Sequence, residues 1–286
     1  MPTYTDASGL VFTHYVWPID APKAVIQLVH GVGEHAQRYA ALAAELNRAG
    51  YTVYADDHLG HGQTGLAQHG GDHTKLGRLG AGGLRAAVAG VHQLSGIIRS
   101  ENPTLPLVLL GHSWGSFMVQ MIVNEHAAEY DAIVLSGSAY RWPGYLDGGD
   151  LNRKHKTLGT TGVEWLSRDP AIAAAFVADP LTTATPLAKL FGIREAARLF
   201  GRPVKGLPSA LPLLVLVGGD DTVGGERSAL KLVNAYVKRS GLRDVRLIVY
   251  PGARHEVFNE TNRSEVIGDL VAWLDERLPF KPEPTP

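Results

Sequence analysis

The 286-residue chain contains no cysteine. That excludes structural disulfides, cysteine-ligated zinc or iron–sulfur sites and a thiol nucleophile, so hydroxyl, carboxylate and imidazole groups must carry any chemistry. It also lacks an excess of charge of either sign. With 27 Lys and Arg against 28 Asp and Glu, it has no electrostatic footprint of a nucleic-acid binder. No run reaches the roughly 18 apolar residues of a membrane span. Met1-Pro2-Thr3-Tyr4-Thr5-Asp6 shows no basic stretch leading into an apolar one. A protein without an integral membrane segment is expected, with a cytoplasmic location. What is present is a hydrophobic fraction of 45% with 19% charged residues, enough apolar side chain to bury a sizeable core, which excludes disorder as the main state.

Short apolar runs alternate with longer stretches of helical periodicity, the pattern of a mainly parallel sheet with crossover helices. Strands are expected at Leu10–Trp17, Ala24–Val29, Thr52–Ala55, Leu107–Leu110, Ile133–Leu135, Leu213–Val217 and Arg246–Tyr250. All but the first are mostly continuous apolar runs, as in strands buried on both faces. Helices are expected at Arg38–Ala49, Leu84–Arg99, Trp114–Asn124, Glu226–Arg239 and Asn262–Arg277, with Leu84, Val88, Val91, Leu94 and Ile98 forming one apolar stripe. The alternation breaks at about residues 140–211, where Gly, Pro and Asp punctuate Ala/Leu-rich stretches and no strand is expected. The chain therefore divides into a first core part (1–139), a helical insertion (140–211) and a second core part (212–286). The insertion has ten Lys or Arg and six Asp or Glu, so it is +4 while the rest is −5. The end Lys281–Pro286 is expected to fray.

The most informative residues are Gly111-His112-Ser113-Trp114-Gly115, a G-x-S-x-G pattern between an apolar run and a helical pattern. Strand, sharp turn and helix are the context in which a serine hydroxyl is projected out of a sheet, with helix N–H groups behind it to face an oxyanion. Such a serine needs a base and an orienting carboxylate. Downstream, Gly218-Gly219-Asp220-Asp221-Thr222-Val223 and Pro251-Gly252-Ala253-Arg254-His255-Glu256 each follow a strand pattern. They supply His255 and one of two adjacent aspartates, between which charge alone does not choose. Upstream, His30-Gly31-Val32-Gly33-Glu34-His35 follows another strand pattern, and its glycines let backbone approach a substrate oxygen. His58, His61, His69 and His73, beside Asp56, Asp57 and Asp72, offer a metal reading. Glycine-separated histidines are more often hydrogen-bonded in turns, and a serine mechanism has no use for a metal, so no metal is expected.

Taken together, His30–His35 with Gln37-Arg38-Tyr39, Asp57-His58-Leu59-Gly60-His61-Gly62, the Ser113 pattern and Gly252–Glu260 closely resemble the monoacylglycerol lipase and lysophospholipase-like serine hydrolases of the α/β-hydrolase superfamily. The resemblance spans nearly the whole chain and implies an α/β-hydrolase fold with a helical cap. It implies catalytic Ser113, Asp221 and His255, with Asp221 chosen over Asp220 by the Gly218, Asp221, Val223 spacing. The implied oxyanion donors are the N–H groups of Val32 and Trp114. Trp114, Trp142 and Tyr145 are candidate substrate-binding residues, and the partner would be a lipophilic carboxylic ester, with no organic cofactor and only transient contact with lipid surfaces. Perhydrolase, thioesterase or amidase chemistry, or a ligand-binding protein without turnover, are the alternatives. One departure is Trp114-Gly115-Ser116, where relatives often have methionine and two glycines; another is Arg141–Asp150, which lacks a long apolar face. Trp165, Phe176, Leu187, Leu190, Phe191, Leu199 and Phe200 are expected to form cap core.

Overall fold

The computed structural model describes residues 1–278, and the expected fraying end at Lys281–Pro286 lies outside them. The strands are β1 (Thr3–Thr5), β2 (Val11–Trp17), β3 (Ala24–Val29), β4 (Tyr51–Asp56), β5 (Leu107–His112), β6 (Ala132–Ser136), β7 (Leu213–Gly218) and β8 (Val245–Tyr250). They form one eight-stranded sheet in the order β1-β2-β4-β3-β5-β6-β7-β8. β2 runs antiparallel to β1 and β4, and every pair from β4 through β8 is parallel. The helices are α1 (Ala40–Arg48), α2 (Gly62–Gln68), α3 (Gly83–Glu101), α4 (Trp114–His126), α5 (Pro170–Ala178), α6 (Leu187–Ala197), α7 (Gly225–Ala235) and α8 (Arg263–Arg277). This is the α/β-hydrolase fold.

Alternation along the central strands divides the core into two layers. Val25, Val29, Leu107, Leu109, Leu213, Val215 and Val217 pack on the face covered by α3, α4 and α7. Ile26, Leu28, Val108, Leu110, Leu214 and Leu216 pack on the opposite face, under α1 and α8. Each strand is thus apolar on both sides, which is why the runs are continuous in sequence.

The differences from the expected elements have local causes. The helix expected from Arg38 begins as a 3-10 turn, Ala36–Tyr39, and the one expected to reach Arg239 widens into a π-helical turn over Tyr236–Ser240. On α3 the buried stripe runs through Ala87, while Val88 is only partly buried. β1 is too short to show alternation, and α2 carries two glycines, so neither was legible as a pattern. Among the described residues no helix is long and apolar enough to cross a membrane.

Candidate active site

Ser113 stands between the last residue of β5 and the first of α4, with φ 54° and ψ −125°. Among the described residues only Ala21 is another non-glycine with positive φ. Such a conformation costs ~1–3 kcal/mol and persists because the surroundings impose it. A Cβ at Gly115 would lie 2.2 Å from the Val29 carbonyl oxygen, and one at Gly111 would lie 2.7 Å from the Ser116 Cα. Only glycine therefore lets α4 leave the sheet so sharply. The Ser113 N–H donates to the Ser136 carbonyl at 2.9 Å, which ties the turn to β6. The first N–H groups of α4, Trp114 included, lack intrahelical partners and point their positive end at the turn.

Two residues beyond the ends of neighbouring strands meet each other at the same edge of the sheet. His255 follows β8, and its Nδ1 lies 3.0 Å from each carboxylate oxygen of Asp221, which follows β7. Both side chains are buried. The Val223 N–H donates to Asp221 Oδ1 at 2.8 Å and fixes the carboxylate, whereas Asp220 is exposed. Burial disfavours the His255 imidazolium, but the Asp221 charge and hydrogen bond outweigh it and hold the pKa above its ordinary value. With Nδ1 engaged, Nε2 is left buried without a hydrogen-bond partner. The structure thus joins His255 to Asp221 and shows no hydrogen bond between the Ser113 hydroxyl and Nε2.

A charged network that sequence reasoning did not assign supports the loop after β3. Glu34 Oε1 accepts from the Gly31 N–H at 2.6 Å and from the Tyr39 hydroxyl at 2.8 Å. Arg38 pairs with Glu34 and forks onto Glu256 at 2.8 and 3.0 Å. Glu256 is buried, which alone would raise its pKa, yet Arg38 holds it down at about 2. Nearby His112, 4.8 Å ring to ring from His255, is pushed down to about 4 by burial and by the His255 charge. The available signal was an arginine and two acids within the two resembled segments, but nothing local says that they meet.

The histidines that offered a metal reading have separate partners. His58 Nδ1 faces Asp56 at 3.2 Å, His61 Nδ1 faces the Leu59 carbonyl, His69 Nε2 that of Arg78 and His73 Nδ1 that of Pro180. His30 stacks on His58 at 3.7 Å, and His61 lies 5.0 Å from Trp114. Among the described residues, the three ligand-type side chains whose ligand atoms converge within 4.8 Å are His92 on α3, His126 at the end of α4 and Glu129 just after it.

The chain between β6 and β7 reaches each of these parts. The Thr183 N–H donates to the Gly33 carbonyl at 2.8 Å, and a Cβ at Gly33, where φ is +74°, would lie 2.3 Å from the Thr183 oxygen. His35 pairs with Asp179 at 2.8 Å, and Phe176 lies under the Arg38 guanidinium. Trp165 lies 4.9 Å from the His255 ring, and Phe191 meets Trp114 edge-on at 5.1 Å. Trp114 itself is fully buried, and Trp142 is 43% exposed. Tyr145 and Asp221 share a polar cavity of about 370 Å³ whose lining includes neither Ser113 nor Trp142.

The model of the serine aminopeptidase S33 family matches residues 20–262. A monoacylglycerol lipase of Mycolicibacterium smegmatis is 34% identical, with 96% of this chain and 97% of that protein covered. A monoglyceride lipase of Mus musculus is 29% identical over 97% of this chain and 91% of its own. Among solved structures, a thermostable carboxyl esterase from Bacillus coagulans in complex with glycerol superposes with a TM-score of 0.84 at 26% identity, covering 97% of this chain and 98% of that one.

Proposed function

The chain belongs to the serine aminopeptidase S33 family of α/β-hydrolases, and on that premise we propose that it is a serine esterase acting on monoacylglycerols or related lipophilic carboxylic esters. The observation that carries this reading is a serine on a strained strand-to-helix turn in a chain whose buried His255–Asp221 pair leaves one ring nitrogen free. Asp221 holds the imidazole in the tautomer that presents the bare Nε2. His255 takes the proton of Ser113 as Oγ attacks the ester carbonyl carbon. The tetrahedral oxyanion is met by the Val32 and Trp114 N–H groups, each worth ~3 kcal/mol of transition-state stabilisation. The imidazolium gives its proton to the departing alcohol as the carbon–oxygen bond breaks. Water, deprotonated by the same nitrogen, then hydrolyses the acyl-enzyme and frees Ser113.

Nucleophile, base and oxyanion donors are all supplied by the chain, so the route needs neither metal nor organic cofactor. Residues 140–211 act as a cap that bounds the acyl pocket, with Trp165 beside the His255 ring and Phe191 against Trp114. The relatives' names support a glycerol ester as the substrate class. The family description favours a second reading, cleavage of an amide by the same triad. Comparing kcat/KM for 1-monoacylglycerols, p-nitrophenyl esters and aminoacyl-p-nitroanilides separates the two. Ser113→Ala should lower ester turnover by ~10⁶, and a fluorophosphonate should label Ser113; more than roughly a hundredth of the activity left in the alanine variant would remove the assignment.

A further inference from the structure

Away from Ser113, the surface made by the C-terminal half of α7, its π-helical turn and residues 199–205 gathers positive charge. A cavity of about 460 Å³ is lined by Arg202, Lys231, Lys238 and Arg239, with Tyr140, Asn234 and Ala235 completing the wall. No carboxylate is among the lining residues. The chain as a whole carries a formal charge of −1, so four cations at one cavity do not follow from general basicity.

Neutral groups hold three of these cations in place. Arg239 Nε donates to the Pro203 carbonyl at 2.7 Å, the Arg202 guanidinium lies 4.8 Å over the Trp142 ring, and the Lys231 ammonium stands 5.9 Å from the Tyr140 ring. Contacts to π faces and carbonyls orient a cation but leave its charge uncompensated. Among the described residues none of the four takes part in an ion pair. In the adjoining cavity, which shares Lys231 and Asn234, the lining acid is Glu226, beside Arg227.

A fifth cation, Arg141, is next in sequence to the wall residue Tyr140. It is only 3% exposed and donates to two neutral acceptors, Gln120 Oε1 at 3.1 Å and the Leu199 carbonyl at 2.6 Å. Burial lowers its pKa to about 10, with Tyr236 opposing the shift, so it remains cationic at neutral pH. The Tyr236 hydroxyl is buried without a hydrogen-bond partner. Buried arginines are nearly always paired with an anion, because an uncompensated charge out of water is costly.

We propose that this cavity binds a phosphate-bearing anion, either a soluble phosphate or the phosphate of a lipid headgroup. A phosphate group matches the arrangement through its multiple charge and three acceptor oxygens, which guanidinium forks and ammonium groups meet from several sides. The site is separate from the ester chemistry and stands whether or not that reading holds. For the headgroup source, exposed Trp142, Leu230 and Val237 lie on residues of the same surface, at 43%, 46% and 44% exposure.

The test measures inorganic pyrophosphate binding to the whole chain by calorimetry and by melting temperature, at ionic strength matched with sodium chloride. Co-sedimentation with phosphatidylcholine vesicles, with and without phosphatidylglycerol, forms the second arm. Pyrophosphate should raise the melting temperature, and the combined Arg202→Gln, Lys231→Gln and Lys238→Gln variant should bind at least tenfold more weakly. The single charge reversal Lys238→Glu, at an exposed side chain, should weaken binding in the same direction. Turnover of a short soluble ester, unchanged in both variants, verifies the fold. Sedimentation only with phosphatidylglycerol, lost in the variants, identifies the lipid source; pyrophosphate binding without sedimentation identifies the soluble one. Failure of both probes to bind the wild type, or equal binding by wild type and combined variant, overturns the proposal.

Discussion

Replacing Arg38 with methionine tests how the charged network beneath the loop after β3 is held together. The guanidinium faces two buried carboxylates, Glu34 and Glu256, whose side chains are 4% and 5% exposed, and methionine keeps the stem while leaving both without their cation. A buried pair broken on one side typically costs 3–5 kcal/mol, because the remaining charge is uncompensated. The wild-type pKa points to the same size. A carboxyl held at about 2 rather than its ordinary 4.5 carries roughly 3 kcal/mol of stability at neutral pH. That contribution is fully present above pH 4.5 and is lost as pH falls toward 2. At pH 8 the variant should therefore be less stable by about 3–5 kcal/mol, which for a chain of this size lowers the melting temperature by roughly 10 °C. In the variant, burial without its cation raises the Glu256 pKa, so that carboxyl takes up a proton as pH falls and the deficit narrows. Melting curves of wild type, Arg38→Met and Arg38→Lys from pH 5 to pH 8 measure this, with the lysine variant intermediate because an ammonium cannot fork. A loss under about 1 kcal/mol at pH 8, the upper end of what an exposed ion pair is worth, would refute the reasoning. So would a gap that stays constant with pH.

Asp221→Asn should lower kcat by ~10⁴ through the wrong His255 tautomer, while Asp220→Asn stays near wild type because Asp220 is exposed; a reversed order of severity transfers the role. Ester turnover should rise with pH through a single ionisation above 6.5, since His255 must be neutral to accept the serine proton and its pKa is raised; a kcat/KM profile with its midpoint well below 6.5 contradicts that assignment. Trp114→Met should cost roughly 2 kcal/mol, about half the usual loss for truncating a buried tryptophan to alanine. By opening space between His61 and Phe191, it should also move the acyl-chain optimum toward longer chains. An optimum unchanged across esters of two to sixteen acyl carbons would remove Trp114 from the pocket.

The parts of the molecule legible in the sequence are those whose cause is local. β3 is found at its expected ends because six consecutive residues, Ala24–Val29, are all buried, and a strand packed on both faces admits no polar position except where a partner waits, as Val91 does for Gln27. Ser113 is legible for the same reason: glycines at 111 and 115 are demanded by contacts within a few residues or with the adjacent strand. Illegible were features fixed by distant partners. Glu34, Arg38 and Glu256 meet across 222 residues of chain, and neither segment alone shows that its charge is buried.

Parallel register converts these separate segments into one site. Because β3 and β5 through β8 run the same way, the loops after Val29, His112, Gly218 and Tyr250 all emerge at one edge of the sheet, where open α/β folds place their ligands. Glu34 and Glu256 sit on two of those loops, and Arg38 clamps the loop carrying the oxyanion candidate Val32 to the loop carrying His255. The chain between β6 and β7 adds a second clamp, since Thr183 binds the first loop while Trp165 and Leu166 receive the N–H groups of His255 and Glu256. Movement of that segment cannot leave the histidine loop undisturbed: its backbone hydrogen bonds are shared with Gly33 on one side and with His255 and Glu256 on the other. A displacement of residues 165–183 would therefore reach the loop after β3 and the His255 loop together.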